Sequence, residues 1–247
     1  YQFEFFRNGV LVATLAGGLC GLIGVFVVLK GMSYIGHGLS HAIFGGFAAS
    51  SLLGVNFLLG AGVWGVASAL MINGVTRRRV IGADAAIGVI TTASFALGLT
   101  LFAAFGRRGR NFDAALFGSI LGVGWSDVAA VLTVAAGVGL VVFFGYRRLL
   151  FTTFDPDVAE ASGVNTARVD AVLMLALAAS ILVTMQVLGV TLIAATLVIP
   201  PTIARMLTSS FSRMLWSSTV IGAVTGLVGM VARYHLDIQS GPAIVLG

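Results

Sequence analysis

Charge is what this chain has least of. Only 9% of its 247 residues are Asp, Glu, Lys or Arg, and 58% are hydrophobic. A water-soluble domain carries roughly a quarter charged residues, so this composition cannot cover a soluble surface. Cysteine is almost missing. Cys20 stands alone in an apolar run, which excludes a disulfide within the chain and a thiolate metal site, and leaves a small buried side chain. Lysine is reduced to Lys30, between Leu29 and Gly31. A phosphate-binding loop needs Gly-Lys-Ser/Thr, so the chain is not itself a nucleotide hydrolase. Acidic residues are missing from the middle of every apolar run. Ion-coupled carriers usually place Asp or Glu there, which counts against that class.

What is there is apolar and rich in glycine, 33 residues of it. Glycine lets membrane helices approach closely. A spanning helix needs about 20 apolar residues, and hydropathy places spans over Gly9–Leu29, Gly36–Leu53, Phe57–Val75, Asp84–Phe105, Asp127–Tyr146, Val169–Leu188, Val190–Met206 and Leu215–Ala232. Phe112–Val123 is too short to cross alone and reads as a re-entrant or interfacial helix. Ser240–Leu246 reads as the start of a ninth span. The expectation is an all-α polytopic bundle of eight to nine spans, a single transmembrane domain over 1–247, inserted by its first span without a cleavable signal peptide.

The net charge of +5 comes mostly from arginines at span ends. That is a topology signal, not a nucleic-acid surface. With the N-terminus outside, the inner loops hold Lys30, Arg77, Arg78, Arg79, Arg147, Arg148, Arg168, Arg205 and Arg213. The outer loops hold Arg7, Arg107, Arg108, Arg110 and Arg233. Nine against five favours this orientation. The most polar stretch, 154–168, then lies inside. Asp155 suits an N-cap, Pro156 a first helical position and Gly163 a helix end, so the stretch is a short cytoplasmic helix or an ordinary connecting loop.

His37 and His41 are the sharpest feature. Four residues apart on a helix, they share one face and can address one ion. Imidazole suits zinc and, less well, manganese or iron. Two ligands make an unfinished site, and an exchangeable site is what a transporter needs. Protease chemistry is excluded by Gly38, which stands where the His-Glu-x-x-His pattern needs its general base. Ser40 and His41 diverge by about 100 degrees on a helix and do not form a nucleophile–base pair. Asp84 suits a helix start, and Asp113 and Asp127, which flank the short apolar stretch, read as caps or as outer-face contacts for a partner. Pro200 and Pro201 are expected to interrupt the seventh span. Tyr34, Trp64, Trp125 and Trp216 suit packing or interfacial anchoring. His235 with Asp237 reads as a solvated outer loop or a weak receiving site for metal.

With these residues laid out, the chain resembles the membrane permease family of zinc and manganese ABC importers. The marks are Met32 to Ala42, Leu116-Phe117-Gly118-Ser119-Ile120, the polar Asp155–Gly163 segment, Val198-Ile199-Pro200-Pro201 and Ser240-Gly241-Pro242. The resemblance implies a type II ABC importer-like permease in the inner (plasma) membrane, working as a homodimer. It implies cytoplasmic ABC ATPase subunits as the engine and an extracytoplasmic metal-binding protein as the donor. Asp155, Pro156, Asp157, Glu160 and Gly163 then belong to the helix that couples to the ATPase, and His41 contacts the metal. The permease makes and breaks no covalent bond and carries no cofactor; its cargo is Zn2+ or Mn2+. Many members have Asp where this chain has His37. A neutral imidazole pair is softer than an Asp–His pair, and manganese prefers carboxylate, so the sequence predicts zinc over manganese.

Overall fold

The computed structural model describes residues 4–53, 56–78, 81–105, 123–190, 192–236 and 244. Nine helices lie within them: α1 Glu4–Leu29, α2 Ile35–Leu53, α3 Phe57–Arg77, α4 Ala83–Phe105, α5 Trp125–Phe154, α6 Pro156–Ala161, α7 Thr166–Leu188, α8 Ile193–Leu207 and α9 Phe211–Leu236. No strand occurs among the described residues. Arg79, the Arg107-Arg108-Gly109-Arg110 cluster, the 112–122 stretch with Asp113, Asp237 and the Ser240-Gly241-Pro242 tail lie outside the described residues.

Among the described residues six helices are long and apolar enough to cross a membrane: α1, α3, α4, α5, α7 and α9. The expectation of eight to nine is met only to that extent. The fifteen residues of α8 rise about 22 Å, short of a hydrocarbon core of about 30 Å. α2 is diluted by glycine, serine and histidine. α5 runs two turns beyond its expected end at Tyr146 and stops at Phe154. Nothing between them breaks a helix, because arginine and leucine are good helix formers. At about 45 Å long, α5 exceeds a hydrocarbon core of about 30 Å.

α1 is the axis of one half. It is apolar on all sides, and 72% of its apolar window is buried, against 22% for α5. It packs on α9, α8, α5 and α7, while α2 packs on α4, α3, α7 and α8. α7 touches both groups. The seam between α1 and α9 is made of small residues four apart. A Cβ at Gly17 or Gly21 would strike the α9 backbone at Gly222 or Ser218, and one at Gly226 would strike Ala13. Dispersion between close backbones drives such contacts where water supplies no hydrophobic force. The Ser218 hydroxyl adds an interhelical bond, donating to the Gly21 carbonyl at 2.6 Å. Cys20 is buried as a free thiol.

The expected break in the seventh span does not occur: α8 is helical from Ile193 to Leu207 with Pro200 and Pro201 inside it. Each proline removes one intrahelical donor. The conformation survives because Leu197, Pro200, Pro201 and Ala204 are buried and the Leu197 carbonyl, which loses its Pro201 partner, lies against Gly24 of α1.

Candidate metal pathway and coupling segment

His37 lies in the first turn of α2 and His41 in the next. Their ring centroids are 4.3 Å apart and tilted by 45°. The shared face read from the spacing is therefore real. Both rings are half-buried. Tyr34 stacks at 5.5 Å from His37, and Phe95 of α4 meets His41 edge-on at 5.1 Å. Gly38 allows this, because a Cβ there would run into Ile87 and Thr91 of α4.

The orientation of His41 is set by its own helix. Its Nδ1 lies 2.9 Å from the His37 carbonyl oxygen. A carbonyl only accepts, so Nδ1 carries the hydrogen and Nε2 keeps its lone pair for an outside ligand. Ser40 points the other way. It is fully buried, and its hydroxyl lies 2.8 Å from the His37 carbonyl and 3.0 Å from that of Val190, between α7 and α8. Ser40 thus ties α2 to the segment between α7 and α8. Among the described residues no group of three or more His, Cys, Asp or Glu gathers to hold a metal. His235 ends α9.

The polar stretch after α5 is a helix, not an open loop. The Asp155 carboxylate accepts from the Val158 N–H at 3.0 Å and caps α6, with Pro156 in its first turn. Gly163 takes φ +84°, a conformation open mainly to glycine. Gly163 N–H donates to the Glu160 carbonyl and Val164 N–H to that of Ala159, both at 3.0 Å, the paired bonds that close a helix C-terminus. Asp157 and Glu160 stand on the exposed side, with Ala159 buried beneath. Other caps follow expectation. Asp127 accepts from Gly124 N–H at 2.9 Å, and Asp84 sits in the first turn of α4.

Sequence reasoning missed Asp170. Lys30 at the end of α1 donates to its Oδ1 at 2.9 Å, and Arg77 at the end of α3 to its Oδ2 at 3.2 Å. Lys30 also donates to the Thr152 carbonyl of α5 at 3.2 Å. Arg77 further donates to the Thr166 hydroxyl, which donates to Glu160 of α6, each at 3.2 Å. A cavity of about 560 Å³ opens beside this cluster. The signal was available: an orientation that puts the ends of α1 and α3 and the start of α7 on one membrane face leaves Lys30, Arg77 and Asp170 as neighbours.

The sequence model of the ABC 3 transport family matches residues 2–247. The chain belongs to that family. Two curated relatives are manganese proteins by name. The manganese transport system membrane protein MntC of Listeria monocytogenes is 35% identical over 245 residues, covering 99% of this chain and 87% of its own length. The manganese import system permease protein ScaB of Streptococcus parasanguinis is 34% identical, with the same coverage. The solved structure of PsaBC from Streptococcus pneumoniae in complex with Fab matches with a TM-score of 0.87 at 32% identity, over 99% of this chain and 88% of that one. The chain is thus a multi-pass membrane permease of the ABC transport type.

Proposed function

We propose that this permease carries a divalent first-row metal ion inward across the cytoplasmic membrane, with manganese as the cargo and His37 and His41 as contacts along the path. The observation that carries the reading is the stacked imidazole pair, with His41 Nε2 left open by the Nδ1 bond to its own helix. Two protein ligands hold an ion loosely enough to release it; a closed four-ligand cage does not. The remaining ligands come from water or from a second copy of the permease, since the pair is half-buried in one chain.

The softness argument that predicted zinc is not supported: the two relatives above are named for manganese, and a third, from Haemophilus influenzae and 32% identical, as a probable iron transport system membrane protein. Imidazole binds both ions, and we take manganese as the cargo on the strength of the relatives.

In this reading 1–247 is one transport domain, two copies form the pathway, and an extracytoplasmic binding protein delivers the ion. Cytoplasmic ABC ATPase subunits engage α6 through the segment of Asp155, Pro156, Asp157, Glu160 and Gly163. Support for this role is mechanical. α6 is capped at both ends, and Glu160 is tied through Thr166 and Arg77 to Asp170. The test is uptake of isotopic manganese and zinc into vesicles holding the permease and its ATPase, with ATP or with a proton gradient alone. ATP-dependent manganese uptake lost in His41→Ala is the expected result. Uptake driven by the gradient without ATP overturns the importer reading, and full uptake by both His37→Ala and His41→Ala overturns the pathway.

A further inference from the structure

Away from the histidines, α1, α5 and α9 enclose an open groove of about 920 Å³. Its floor is Leu22, Gly139, Val142, Leu215 and Thr219. Gly139 leaves the deep end empty, because a Cβ there would meet nothing within 4 Å. Phe143 and Trp216 flank it and are 75% and 73% exposed. Charge enters at one end only. Arg147 and Arg148 line the groove and stand exposed, Tyr146 and Ser212 lie nearby, and no acidic residue is among the lining groups. From Gly139 to Arg148 the groove follows α5 for about 14 Å.

An apolar trough with two arginines at a single end matches one ligand shape: an acyl chain under an anionic phosphate headgroup. A basic pocket between helices on the cytoplasmic side is the setting in which anionic headgroups are held. We propose that this groove binds an anionic glycerophospholipid of the cytoplasmic leaflet, its phosphate on Arg147 and Arg148 and a chain along Phe143 and Trp216. The leaflet assignment rests on the orientation used above, in which the α6 end faces the cytoplasm. Neither arginine forms an ion pair among the described residues, so the charge is available to a phosphate.

The test uses Trp216 as its own probe. The full chain carrying Trp64→Phe and Trp125→Phe, with Trp216 retained, is placed in nanodiscs of phosphatidylcholine containing a minor fraction of brominated phosphatidylglycerol or brominated phosphatidylcholine. Two arginines predict an apparent preference for the anionic lipid of roughly tenfold or more. Arg147→Gln with Arg148→Gln should abolish the preference while quenching by the neutral lipid persists. Gly139→Leu, which fills the trough and keeps the charge, should weaken quenching by both lipids. Arg78→Gln, at the C-cap just past α3, should change neither. Equal quenching by the two lipids in the parent protein, or an equal loss in Arg78→Gln, overturns the proposal. The orientation is read separately, from labelling of Ala161→Cys by an impermeant maleimide in intact cells. Labelling from outside refutes the orientation and the coupling role together, and leaves the lipid selectivity to stand or fall on the quenching.

Discussion

Two polar clusters in this permease are built on opposite rules. Around Asp170 every partner is supplied by the chain: both carboxylate oxygens receive a cation, Lys30 gains a carbonyl as well, and Thr166 passes the connection to Glu160. Around His37 and His41 the chain supplies orientation and then stops. Nδ1 of His41 is satisfied by its own helix, and the rest of the face is aromatic. Partial burial of a polar group without a partner is costly, so an arrangement that orients a ligand atom and leaves it open is explained by a ligand that comes and goes. A closed cluster serves the fold; under the proposed function the open one serves traffic.

The strongest way to break this contrast is to remove the open pair. His41→Ala should lower ATP-dependent manganese uptake by about 10- to 100-fold, the range seen when a metal site loses a supporting contact, while the thermal midpoint of the purified permease stays close to that of the parent. His37→Ala should do the same with a smaller loss, because it keeps the His37 carbonyl that orients His41. A large drop in stability with uptake per folded molecule unchanged would make the pair structural and erase the difference between the clusters.

The closed cluster should answer in the opposite currency. Asp170→Asn strands Lys30 at a site where the Lys30 and Asp170 side chains are 13% and 19% exposed. Breaking a fully buried pair costs about 3–5 kcal/mol, and partial exposure brings the expectation to about 2 kcal/mol. Replacing two partners with apolar groups, Lys30→Met with Asp170→Leu, should recover about half of that loss, because the more buried cation leaves with the carboxylate and only the more exposed Arg77 stays unpaired. Thermal unfolding in detergent measures both. A double variant no better than Asp170→Asn would mean that Arg77, which still faces position 170, carries the cluster.

Much of this was legible in the sequence, and the reason differs by feature. The helical class follows from composition, because a chain with so few charges has no other way to satisfy its backbone in lipid than helices or a closed barrel, and its runs are long enough for helices. The imidazole pair was legible because its geometry is local: four residues on one helix. The caps of α6 were legible for the same reason. Asp170 was legible only through the membrane orientation, because its partners lie 140 and 93 residues away along the chain and no short-range pattern marks them. Span number is supported only for the six long apolar helices among the described residues, and helix ends departed from expectation where packing decides them. α8 keeps its helix through Pro200 and Pro201 because neighbours hold it, and α5 runs on past Tyr146 because nothing local stops it.

The smallest expected effect concerns the link between the clusters. A six-residue helix has no stability of its own, so α6 persists through its end bonds, its proline and the Glu160–Thr166 tie. Asp155→Ala removes the N-cap and should cost about 1 kcal/mol locally. Hydrogen exchange at Val158, whose N–H the Asp155 carboxylate receives, should then rise about fivefold. If α6 transmits the ATPase stroke as a rigid body, uptake per ATP hydrolysed falls by a similar factor while manganese affinity is unchanged, since the histidines are untouched. Asp157→Asn changes the same net charge without touching the cap, and should leave exchange at Val158 near the parent value. Equal losses of coupling in the two variants, with exchange altered only in Asp155→Ala, would show that the ATPase reads the negative charge of α6 rather than its shape.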